Sequence, residues 1–92
     1  MRFDMNVRLH LNDRYNFSIS QEIESDGSPY KNLVEVALFC DEEFVPCNVW
    51  ATNWVGSGAN NDAVIRMVDA HSVADLLQFA KEYVYIKEHE YV

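Results

Sequence analysis

The chain has 92 residues, 49% hydrophobic and 13% aromatic, and its fifteen acidic side chains face seven basic ones for a formal net charge of -8. That is enough apolar material for one domain over residues 1–92 with one core, and too much for a disordered acidic tail. No apolar run approaches the roughly 20 residues that span a bilayer, and residues 1–6 hold no signal-peptide core. Few, scattered bases oppose binding to nucleic acid or an anionic membrane, so a cytoplasmic protein without direct nucleic-acid or membrane contact is expected.

Residues 3–11 alternate, with Phe3, Met5, Val7, Leu9 and Leu11 on one side and Asp4, Asn6, Arg8 and His10 on the other. Period two predicts a half-buried strand. Asn12-Asp13-Arg14 supplies turn chemistry, and alternation resumes through Tyr15, Phe17, Ile19 and Ile23. The pair reads as an antiparallel hairpin with one packed face and one wet face. After the loop Ser25-Asp26-Gly27-Ser28-Pro29, a third strand is expected over 31–40, with Val34, Val36, Leu38 and Cys40 inward. Asp41-Glu42-Glu43 turns into a fourth strand over 44–51, in which Pro46 marks an edge or a bulge.

Residues 52–61, with two glycines, three asparagines and Trp54, read as a long loop before a short strand over 64–68. Ser72 is then a helix cap with Asp75 completing a capping box. Val73, Leu76, Leu77, Ala80, Tyr83 and Val84 form the stripe that the helix must bury. Residues 85–92 alternate again and suggest a last edge strand, through which two copies would be able to pair, although Lys87, Glu88 and Glu90 are also typical edge protection and the oligomeric state stays open. The expected fold is α+β: an antiparallel sheet, a meander of four or more strands, with one C-terminal helix across one face.

No cofactor, metal or catalytic residue is expected. Cys40 and Cys47 flank a turn and lack zinc-knuckle spacing; they read as small buried thiols of a reducing compartment, although a hairpin disulfide is geometrically conceivable. Gly56-Ser57-Gly58 lacks the lysine of a phosphate loop. Asp69-Ala70-His71 can be drawn as an acid–base pair, and a solvent-facing cap histidine explains it equally well.

Two features point to binding. Trp54, set among asparagines and glycines, is either a contact residue or a lid over the sheet edge. On the expected wet face, Glu22, Glu24 and Glu35 stand together, with Asp41, Glu42 and Glu43 at one end, and Arg2 and Arg8 are the only nearby bases in this reading. Carboxylates within a Debye length of roughly 8 Å repel one another, and such a surface suits an arginine-rich partner. In size, acidity and lack of catalytic motifs the chain resembles phage-encoded anti-CRISPR and DNA-mimic anti-restriction proteins. That resemblance implies a small inhibitor acting by protein contact on a basic nucleic-acid-binding protein or ribonucleoprotein complex, in the host cytoplasm. Competing readings are an immunity protein or antitoxin against a basic nuclease, and a small-molecule binding module built on the Trp54 loop; an enzyme ranks below both.

Overall fold

The alternation of the first half becomes β1 (Asn6–His10) and β2 (Tyr15–Ile23), an antiparallel pair with Val7 opposite Ile19 and Leu9 opposite Phe17. The computed structural model describes residues 6–52, 54 and 63–90, and of residues 29–31 only the backbone. Residues 3–5 of the expected first strand, most of the loop around Gly56-Ser57-Gly58, and residues 91 and 92 lie outside the described residues. β3 (Pro29–Cys40) is the hub of the sheet: it pairs antiparallel with β2, with β4 (Glu43–Val45) and with β5 (Ile65–Val68). β1 to β4 run as a meander, and β5 returns to β3. α2 (Ala70–Glu88) covers one face, so the α+β sheet-and-helix architecture read from the sequence is the observed one.

The core forms where the inward strand positions meet the helix stripe. Phe17, Val36, Leu38, Val45 and Ile65 pack with Leu76, Ala80 and Val84, and Val73, Leu77 and Tyr83 close over them. The other face is less wet than alternation suggests. Asn16, Ser18, Ala37 and Phe39 are buried there. Phe44 lies 4.5 Å from Phe39, and the Arg8 guanidinium sits 4.3 Å over the Phe39 ring.

Three local expectations are corrected. The fourth strand ends at Val45, and Pro46 caps a one-turn helix, α1 (Cys47–Trp50). Proline has no N–H to give the ladder, whereas its carbonyl accepts from the N–H of Val49 at 2.9 Å. Helical spacing then buries Cys47, Trp50 and Ala51 together and leaves Asn48 and Val49 out. Both cysteines are free thiols, Cys47 buried and Cys40 half-buried.

The long helix starts earlier than Ser72. Its cap is Asp69, whose carboxylate accepts from the Ser72 N–H at 2.9 Å; there an acid also meets the positive end of the helix dipole. The helix also runs on through Glu88, so the edge strand expected over 85–92 is absent from the described residues, and with it the edge through which two copies would pair. No glycine or proline interrupts residues 69–90, and a growing helix adds a hydrogen bond per residue that a short period-two pattern cannot match. Lys87 complements the dipole in the last turn, and His89 Nδ1 meets the Tyr85 carbonyl at 2.8 Å.

Candidate functional site

The fold sends the predicted acidic residues to three different places. Glu22 and Glu35 gather around Arg66 of β5. β2 carries an irregularity between Gln21 and Ile23, and β5 sets two residues against Glu35, with Met67 at φ 58. This bulge brings Arg66 and the Met67 amide onto Glu22. Arg66 Nη2 donates to Glu22 Oε1 at 2.7 Å and the Met67 N–H to Oε2 at 2.9 Å. Glu22 is 1% exposed, so it is a structural clamp and no part of an acidic surface. Burial pushes its carboxyl up, but Arg66 and the amides of Met67 and Ile23 pull harder, and it sits below the ordinary carboxylate value. Glu35, 3.8 Å from Arg66, is pushed up by burial and then by the neighbouring Glu22 charge.

Glu24 stands apart at the β2–β3 turn. Its carboxylate accepts from the Ser28 hydroxyl at 2.8 Å, and Gly27 turns the chain at φ 91. At about 3.3 Å per residue, β2 holds it roughly 30 Å from the other end of the sheet.

That other end is the real acidic concentration. Because Tyr15 pairs with Cys40, the β1–β2 and β3–β4 turns lie side by side, tied by the Asp41 N–H donating to the Arg14 carbonyl at 2.9 Å. Asn12 Oδ1 accepts from the amides of Arg14 and Tyr15, both at 2.8 Å, and fixes the first turn. Arg14 then grips Asp41 Oδ2 through Nε at 2.9 Å and Nη2 at 2.7 Å, which holds the Asp41 carboxyl low. Glu42 reaches Arg8 only at 3.4 Å. Asp13 and Glu43 stand exposed beside them.

Both central residues of the tight β3–β4 turn lie in the left-handed region, Asp41 at φ 52 and Glu42 at φ 70. Such a turn favours asparagine or aspartate first and glycine second, so Asp41 suits its place and Glu42, where glycine is favoured, is the strained residue. The sequence reading missed Asp13, Arg14 and Arg66. Strand register would have joined the first two to Asp41, since hairpins of these lengths put both turns at one end; Arg66 depends on a bulge that has no sequence signal.

Trp54 does not join the acidic end. It packs against the core, and its indole N–H is buried with no acceptor among the described residues. Trp50 is core as well, edge-on to Phe17 at 5.9 Å. Among the described residues no three His, Cys, Asp or Glu side chains gather to hold a metal ion, and no helix is long and apolar enough to cross a membrane. His71 lies exposed in the first turn of α2. No family model, curated protein or solved structure matches the chain.

Proposed function

We propose that the chain is a small acidic inhibitor that acts by contact, without catalysis, and presents its double-turn end to a basic protein surface that otherwise holds nucleic acid. Such a partner would be a nucleic-acid-binding protein or ribonucleoprotein of a bacterial defence system, met in the cytoplasm. The observation that carries the reading is the strained residue of the turn: Glu42 keeps a carboxylate side chain at φ 70, at the position where glycine would fold at lower cost. Strain retained in this way motivates a functional reading. The surroundings favour the same role, since Arg14 preorganises Asp41 while Asp13, Glu42 and Glu43 stay exposed for a cationic groove. Charge of this kind sets association rate and specificity, and falls off with salt.

The test is a pull-down from lysates containing bacterial defence complexes, using the tagged chain and a triple variant, Asp41→Asn with Glu42→Gln and Glu43→Gln. The chain is expected to retain a nucleic-acid-binding complex at low salt and to release it at moderate salt, and the triple variant to retain little at either. Equal recovery by both proteins would sink the acidic-end reading, and recovery of a single nuclease toxin would turn it into immunity.

A further inference from the structure

We propose that the groove between α1 and α2 binds a small uncharged aromatic molecule of the phenol class, whose oxygen accepts from the buried indole N–H of Trp50. This site shares no residue with the acidic end, and the inference stands or falls independently of it.

Both walls of the groove follow from helical spacing. In the one-turn helix that Pro46 starts, Trp50 is 3% exposed while its neighbour Val49 is 46% exposed. Facing them, α2 offers Phe79, Tyr83 and Ile86, which at steps of four and three lie along one side of that helix. Ile86 is 60% exposed. These five side chains line an open groove of about 150 Å³, with Thr52 and Glu82 exposed at its rim. A space of about that volume holds one benzene-sized ring.

Trp50 selects what enters. Its ring packs edge-on against Phe17, and its Nε1–H is buried with no acceptor among the described residues. A buried donor left unpaired costs free energy that phenylalanine at the same place would not incur, and such a group in a folded chain calls for a reason. The residue that carries this donor is a wall of the groove, so a ligand with an acceptor oxygen supplies what the fold does not. The rest of the lining narrows the class. Val49 and Ile86 suit an apolar body, and the rings of Phe79 and Tyr83 pair well with another ring. The one charged side chain in the lining, among the described residues, is Glu82, which accepts from the Gln78 amide at 3.2 Å. On a chain of net charge -8 it repels an anion, which disfavours a carboxylate as the acceptor. It is also an acceptor for the hydroxyl hydrogen that a phenol keeps.

The experiment is an NMR titration of the nitrogen-labelled chain with phenol, with toluene and with benzoate, followed at the indole N–H groups and at the amides of Val49, Phe79 and Ile86. The two tryptophans give two indole resonances, and Trp50→Phe identifies the one from Trp50. Phenol is expected to move that resonance downfield and to leave that of Trp54 in place. It should bind about fivefold more tightly than toluene, the scale of one hydrogen bond, and more tightly than benzoate. In Trp50→Phe phenol should lose its advantage over toluene. Ile86→Asn, at an exposed position outside the core, should weaken both rings while the chain stays folded. An unmoved Trp50 resonance at millimolar phenol, equal binding of phenol and toluene to the unaltered chain, or shifts centred away from α1 and α2 would overturn the proposal. Benzoate binding as tightly as phenol would overturn the assigned class.

Discussion

Glu22 and Asp41 each hold an arginine, with best contacts of 2.7 Å in both cases, yet one is 1% exposed and the other has more than half its side chain in water. At the buried site the carboxylate has no solvent to fall back on, and its hydrogen bonds from Arg66 and Met67 become part of the fold. At the exposed site water competes for every contact and screens the charge, so the pair shapes a turn without carrying much stability. The same two chemical groups therefore make a clamp in one place and a preorganised surface in the other. Burial decides which.

The largest effect should come from breaking the buried side. Glu22→Ala removes an acceptor of charge-assisted bonds and leaves the Met67 amide unpartnered, while Arg66, 62% exposed, can turn to water. That relief keeps the cost below a fully buried broken pair, at about 3 kcal/mol. Urea unfolding should show it as a lower midpoint, with a much smaller drop in Asp41→Asn, which keeps a side chain that tolerates φ 52 and loses only an exposed pair. A silent Glu22→Ala would mean that the clamp contributes nothing to folding.

Acidification sharpens the same contrast. Glu22 is held below its ordinary 4.5, so the stability it contributes is present above about pH 4.5 and is lost as pH falls through its lower folded value. Asp41, Asp26 and Asp69 are held low too and lose stability over the acid range. Glu35 has the opposite sign: its raised carboxyl disfavours the fold as it ionises, and protonation relieves it. Unfolding free energy followed from pH 7 to pH 3 should fall on the acid side, and in Glu22→Gln that fall should be shallower. An identical acid limb in the two proteins would assign it to other groups.

The smallest effect belongs to the exposed turn. Glu42→Gly replaces a side chain at φ 70 with the residue best suited to it and should raise stability by up to about 1 kcal/mol. The same change should weaken retention of the partner in the pull-down. Gain of stability with full retention would mean that the strain serves no contact.

Much of the fold was legible because it rests on period. The alternation around Phe17 and Leu38, and the stripe from Val73 to Val84, each had one face that could only be buried. Misreadings came where two periods fit the same residues. Cys47, Trp50 and Ala51 suit a strand or one helical turn, and Pro46 chose the turn by having no N–H to donate. Residues 85–88 alternate, but an uninterrupted helix already reached them. The site was less legible than the fold. The wet-face alternation correctly set Glu22 on the face away from the helix, but placement on a face does not determine exposure, and the bulge at Met67 closed over it.

By itself the sequence determined the acid excess, the α+β class, the core stripe and the turn in which Asp41 and Glu42 sit, because each follows from composition or from spacing along the chain. Only the tertiary structure decided which acids remain in water. That depended on strand register and on one bulge, which set Arg66 against Glu22 and Arg14 against Asp41 across 44 and 27 residues of sequence, distances over which local pattern carries no information.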